Sequence, residues 1–303
     1  MFLLCSAFVV TVILILFPTS YCQVNYIYPD PSKDAGGGVG SKVQEQWACI
    51  IMSRMLSNYQ YVHVPLVNLD FEVGADKAEN HFGIGLGEIN LKDIELSASA
   101  NVFQCHTFMQ SNSNLWGIFQ AELRNKYFSS LKPVISEFNK KSVNIAVHYR
   151  VCNFMTKKES SSFRGNEPSE RCAITYSDVS QQLNHLIVLL KSITTLPLNI
   201  QIYSQPSLNT TEFLRHLDGI PVAFNIFSDA LYTHTALSTA DVLVLARSSF
   251  SYTAGILNNG FVMYTPFWLN APKDWVIDIQ NLSFQATSLL SRVIRKVESR
   301  SNG

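Results

Sequence analysis

Three short stretches carry residue types suited to holding a phosphate group. His148 and Arg150 follow the β-branched, apolar run 143–147. Arg247-Ser248-Ser249-Phe250-Ser251 follows the run DVLVLA at 241–246. Gly36-Gly37-Gly38-Val39-Gly40 precedes a segment of helical spacing. An arginine offers a planar fork that matches two phosphate oxygens. A helix start offers unsatisfied N–H groups and the positive end of the helix dipole, and serine hydroxyls there add donors. At Gly38 and Gly40 no Cβ keeps a ligand from the backbone. Taken singly, each stretch also has a structural reading: Ser248 and Ser249 as helix caps, Arg150 as half of a salt bridge, the glycines as a linker. Taken together, at strand ends and helix starts, they predict a nucleoside-diphosphate site between two domains.

The elements that must position these residues follow from hydrophobic periodicity. Residues 23–40 read as loop, 41–57 as a helix with Val43, Trp47, Ile50, Ile51 and Met55 on one face, and 61–64 as a strand ending at Pro65. Residues 66–100 are ambiguous; the glycine run 83–87 within them reads as a turn, and 115–141 reads as a helix. From 143 onward the alternation is regular. Strand patterns at 143–150, 198–203, 222–226, 241–246 and 260–264 alternate with helical patterns at 178–193, 210–217, 229–238, 249–257 and 283–298. Asp178 lies in the N-cap region of the first of these helices. This order predicts an α/β fold whose parallel sheet is covered on both faces. The second domain, 142–303, is expected to be Rossmann-like, and 23–141 to hold another α/β unit.

Composition narrows the function classes. Of 303 residues, 47% are hydrophobic and 15% charged, which excludes disorder of the whole chain. Lys+Arg and Asp+Glu both number 23, so a strongly basic nucleic-acid binder is not expected. The apolar run 2–17 is somewhat short of the roughly 20 residues needed to span a bilayer, and Ser20 and Cys22 have the small-residue spacing of a signal-peptidase site. Residues 1–22 are therefore expected to be a signal peptide, the alternative being a short signal anchor that would attach the protein to a membrane. Removing them leaves Cys49, Cys105, Cys152 and Cys172, which allow three pairings or four free thiols. Sequons start at Asn209 and Asn281. There is no G-x-S-x-G, no phosphate-binding G-x-x-x-x-G-K-[ST] and no C-x-x-C, and the seven histidines are scattered, so hydrolase, P-loop and metal chemistry are not expected.

At His148-Tyr149-Arg150 and Ala240-Asp241 through Ser248-Ser249-Phe250-Ser251, with Gly260-Phe261-Val262-Met263-Tyr264 beyond, the chain resembles the fucosyltransferase superfamily, which joins the α-1,2-, α-1,6- and protein O-fucosyltransferases. Gly37-Gly38-Val39-Gly40-Ser41-Lys42 is similar to the glycine turn near that family's amino terminus. Val151 stands where the family often has a second arginine, and Ser41-Lys42 where it has Asn-Gln. The resemblance implies a GT-B-like fold of two Rossmann-like domains with the donor site in the cleft between them. It implies GDP-fucose as donor substrate, a glycan or protein hydroxyl as acceptor, inversion at the anomeric carbon, and neither metal nor cofactor. By matched position, Arg150 and His148 would be catalytic. Gly38, Gly40, Ser41, Asp241, Ser248, Ser249 and Phe250 would bind the donor, and 23–141 would be the acceptor-side domain. The base for the acceptor hydroxyl would come from Asp70, Glu72, Asp76, Glu79 or His81, among which the motifs do not choose. With the leader, this implies a glycosyltransferase of the endoplasmic reticulum or Golgi, or a secreted one. The alternative is an inactive relative that binds a nucleotide or carbohydrate.

Overall fold

A computed structural model describes residues 25–29, 38–67, 69, 74–94, 100–103, 105–151, 174–217, 219–277 and 284–302. The leader 1–22, Gly36, Gly37, Asp70, Glu72, Cys152, Cys172 and the Asn281 sequon lie outside them. The described chain is α/β with two parallel sheets.

The first sheet has the order β3-β2-β1-β4, with β1 at Asn25–Pro29, β2 at Tyr59–His63, β3 at Ile89–Asn90 and β4 at Ala100–Phe103. β1 corrects the reading of 23–40 as loop. Its five residues end in Pro29, with Pro31 just beyond in sequence, and proline punctuation outweighs so short an apolar pattern. Between β1 and β2 runs α1 (Val39–Met55). It is buried on nearly every side, not along one face, and Lys42, Gln44 and Gln46 are buried with it. Such polar groups are tolerated only when paired. Lys42 Nζ donates to the Val67 carbonyl, and Gln46 bridges the Val64 carbonyl, at 2.8 Å, and the Tyr61 hydroxyl. A disulfide joins Cys49 of α1 to Cys105 at the start of α3 (Cys105–Ser111). Closing 56 residues of chain in this way removes about 4 kcal/mol of unfolded-state entropy on the chain-entropy view.

α2 (Ala75–Phe82) ends at Gly83, whose φ of 62° is the left-handed helix-stop conformation. The glycine run 83–87 is a turn. α4 (Asn114–Phe128) is shorter than the helix expected over 115–141. Pro133 keeps the helix from running on to 141: it has no N–H to continue the ladder and disfavours helical backbone at Lys132.

The second sheet has the order β7-β6-β5-β8-β9, with every pair parallel. Its strands are β5 (Val143–His148), β6 (Leu198–Tyr203), β7 (Ala223–Asn225), β8 (Val242–Val244) and β9 (Phe261–Met263). Between them run α5 (Tyr176–Ile193), α6 (Thr210–Arg215), α7 (Ala230–Thr239) and α8 (Ser249–Leu257), and α9 (Phe284–Asn302) follows. Asp178 is the third residue of α5; the cap is Thr175, and the two side chains satisfy each other's backbone N–H. Alternation along β5 sends Val143, Ile145 and Val147 to the core beneath α5 and α9, and Ala146 to the core beneath α7 and α8.

That second core is continuous with α1, α2 and α4, so helices following the first sheet pack directly on α7 and α8. Gln120 of α4 donates to the carbonyls of Ile256 and Asn258 at 2.8 and 2.9 Å, satisfying acceptors at the carboxyl end of α8. At the other end of α8 the backbones touch. A Cβ on Gly40 would stand 2.4 Å from the Phe250 nitrogen and 2.5 Å from its Cα. Gly40→Ala should therefore destabilise the fold by about 1–3 kcal/mol of overpacking, which exceeds the roughly 1 kcal/mol helix gain. Urea unfolding of the two proteins measures the difference.

Candidate functional site

β5 and β8 are neighbours, so their carboxyl ends bring His148, Arg150 and Ser248 together although about 100 residues separate them in sequence. Arg150 Nη1 lies 3.5 Å from Ser248 Oγ. Ser248 is the N-cap of α8: its hydroxyl accepts from the Phe250 N–H at 3.3 Å. The cap reading of this serine holds, and the same hydroxyl faces the arginine. Ser249 and Phe250 form the first turn of α8 and are partly buried. The Ser251 hydroxyl turns back to the carbonyls of Ala246 and Ser248 and is occupied by the fold.

The first turn of α1 meets the first turn of α8 through Gly40. The role of Gly40 is therefore close packing of two backbones, a different use of the missing Cβ from the ligand approach expected of it. Gly38 is the N-cap of α1, without a side-chain cap, and the Ser41 hydroxyl donates to the Gly38 carbonyl at 2.9 Å. The two helix starts carry partial positive charge, and Arg150 stands beside one of them. An anion placed there is favoured by both dipoles and by the guanidinium.

The His148 ring packs on Phe250, with centroids 5.6 Å apart. Burial, and next the charge of Arg150, lower its pKa to about 3, so it is neutral at physiological pH. Its Nδ1 is shielded from solvent and finds no partner among the described residues. Beside it, at the carboxyl end of β6, the Tyr203 hydroxyl, Ser204 Oγ and Gln205 Oε1 are buried and equally without partners there. His148 and Tyr203 are register partners in the sheet. Buried polar atoms lose roughly 1–3 kcal/mol each when unsatisfied, and four of them belong to residues at the carboxyl ends of β5 and β6. Residues 203–205 were not legible as site residues. The strand that ends there was, and the strand-end rule was the available signal.

Asp241 is not part of this group. It precedes β8 and so lies at the amino edge of the sheet, opposite Ser248. Arg300 of α9 grips both its oxygens at 3.0 and 2.9 Å, and the Asn144 N–H donates to it at 2.9 Å. Arg300 also reaches the Lys140 and Ser142 carbonyls.

Of the proposed bases, Asp76 is exposed in the first turn of α2. Glu79 accepts from the Leu66 N–H and faces His63 Nε2 at 3.4 Å. Burial opposes its ionisation, but the His63 and Leu66 hydrogen bonds prevail and hold it below the usual carboxylate range. His81 is buried against Tyr127, with its Nε2 3.0 Å from the hydroxyl. Among the described residues no group of three or more His, Cys, Asp or Glu is arranged to hold a metal ion. No family model, curated protein or solved structure matches the chain.

The placement of Asp241 has a measurable consequence. Asp241→Asn should lower unfolding stability by about 2 kcal/mol, the range for hydrogen bonds to charged groups. It should leave GDP affinity, read by calorimetry, unchanged.

Proposed function

We propose that the protein is a glycosyltransferase with a GT-B-like two-domain arrangement, transferring fucose from GDP-fucose to a glycan or protein hydroxyl with inversion. The observation that carries this reading is the meeting of Arg150, Ser248 and the first turns of α1 and α8 at the carboxyl edge of the second sheet. In such a transfer the acceptor oxygen forms a bond to the anomeric carbon while the bond from that carbon to the β-phosphate oxygen breaks. Negative charge grows on the departing diphosphate. Arg150 and the N–H groups of the α8 first turn stabilise that charge without reorganising. Neutral His148 and the polar atoms of residues 203–205 supply further hydrogen bonds to the nucleotide. The proton of the acceptor hydroxyl needs a base.

The compartment that fits is the secretory pathway. The leader pattern of residues 1–22 directs the chain there, and the disulfide between Cys49 and Cys105 suits an oxidising lumen.

A second reading, binding without turnover, is favoured by the state of two of the three described base candidates. Glu79 and His81 are both engaged by the fold.

Transfer from labelled GDP-fucose to glycan and protein acceptors, alongside melting temperatures with GDP, GDP-fucose and UDP species, tests the proposal. The expected result is a melting-temperature rise with GDP and GDP-fucose. Arg150→Ala should lose transfer by about 10²–10³-fold while unfolding at an unchanged temperature without ligand. GDP binding without transfer selects the second reading. A response to UDP species alone discards the donor, and no response from folded protein overturns both readings.

A further inference from the structure

Behind Phe250 a buried chain of polar groups crosses four elements. Tyr127 of α4, fully buried, places its hydroxyl 3.0 Å from His81 Nε2 of α2 and 3.2 Å from His234 Nδ1 of α7. His234, also fully buried, places Nε2 3.2 Å from the Thr253 hydroxyl of α8. Thr253 donates to the Phe250 carbonyl at 2.9 Å.

The donor inventory fixes the direction of this chain. The single hydroxyl proton of Thr253 goes to Phe250, so its oxygen accepts from His234 Nε2–H. A neutral His234 carrying that proton has a bare Nδ1, which accepts from the Tyr127 hydroxyl. Tyr127 in turn accepts from His81 Nε2–H. The order is His81 to Tyr127 to His234 to Thr253 to the Phe250 carbonyl; the hydroxyls of Thr235 and Ser238 of α7 also lie 3.2 and 3.4 Å from the Tyr127 oxygen. The His234 ring also packs edge-on against Phe250 and Phe82, with centroids at 5.3 and 4.6 Å.

We infer that Tyr127 and His234 are positioning residues: through this chain they fix the first turn of α8, and with it the anion-binding N–H groups, against the helices of the first sheet. The inference rests on the phosphate-binding reading for its functional consequence, and on geometry alone for its structural one. Broken at Tyr127, the chain leaves His81 Nε2 unpaired and His234 Nδ1 with only the Ser238 hydroxyl at 3.5 Å, and the Phe250 turn loses its tether to α2 and α4.

The chain tolerates only neutral imidazoles. A proton on His234 Nδ1 would confront the Tyr127 proton, and one on His81 would bring a second charge close to Lys132, whose Nζ lies 4.2 Å above the Tyr127 ring. The other groups facing the chain are Asp229 ahead of α7 and His148 of β5. Burial and then Lys132 depress His81 to about 4, while Asp229 opposes them. Burial, followed by His81, Lys132 and His148, holds His234 well below its ordinary value. Because the unfolded chain binds these protons first, their contribution is complete above the ordinary histidine pKa of about 6.5. It is lost as pH falls toward the depressed values.

The test is amide hydrogen exchange on the full chain with Tyr127→Phe, followed by GDP titration and melting against pH. At neutral pH the variant should lose protection at the amides of Tyr252 and Thr253, with β6 unchanged, and bind GDP about tenfold more weakly. His81→Gln keeps an N–H donor but cannot be protonated, so it should retain neutral-pH protection and reduce the fall in melting temperature between pH 6.5 and pH 4.5. Unchanged protection in α8, or an acid profile that His81→Gln does not flatten, overturns the inference. Normal protection loss with wild-type protein that binds no GDP would instead overturn the functional reading and leave the tether standing.

Discussion

The contact between Gly40 and the backbone of Ser249 and Phe250 is the constraint on which the rest of the site depends. It brings two helix starts to one place, and two positive dipole ends at contact distance repel unless something negative lies near them. The buried length of α1, the disulfide to α3 and the α4 cap on α8 all hold the helices in that arrangement. Tertiary packing thus sustains an electrostatic arrangement that is unfavourable without an anion, and Arg150 adds to the field.

The two edges of the second sheet differ in how their polar groups are paired. At the amino edge Asp241, Arg300 and Asn144 satisfy one another, and from there an amide ladder crosses the sheet through Asn199 and Gln201 to Asn225 at the carboxyl end of β7. At the carboxyl edge His148 Nδ1, the Tyr203 hydroxyl, Ser204 Oγ and Gln205 Oε1 have no partners among the described residues. The first pattern is that of a finished structural network; the second leaves acceptors and donors that the proposed nucleotide would pair. Asp241 and Ser248 flank the same short strand, yet they serve these two different ends.

Much of the second sheet was legible in the sequence because its strands are runs such as VNIAVH and DVLVLA, buried on both faces, with helices of clear period between them. The limits of β6 and α8 matched their patterns. β1 was missed because a five-residue strand that ends in Pro29 carries little periodicity, and α4 was overextended because the helical reading ran through Pro133. For the candidate site, strand ends pointed to His148, Arg150 and Ser248, which the fold brings together. Asp241 was drawn in by its place in a motif, and motif position does not distinguish the two edges of a sheet. The packing role of Gly40 and the polar cluster behind Phe250 depend on contacts between residues far apart in the chain, which no local pattern records.

The most direct measurement is a crystal structure of the protein with GDP. The account predicts the β-phosphate on the Arg150 guanidinium and the first-turn N–H groups of α8, with nucleotide atoms reaching His148 and residues 203–205. A diphosphate bound elsewhere on the molecule, with Arg150 and Ser248 left in their present contact, would contradict it.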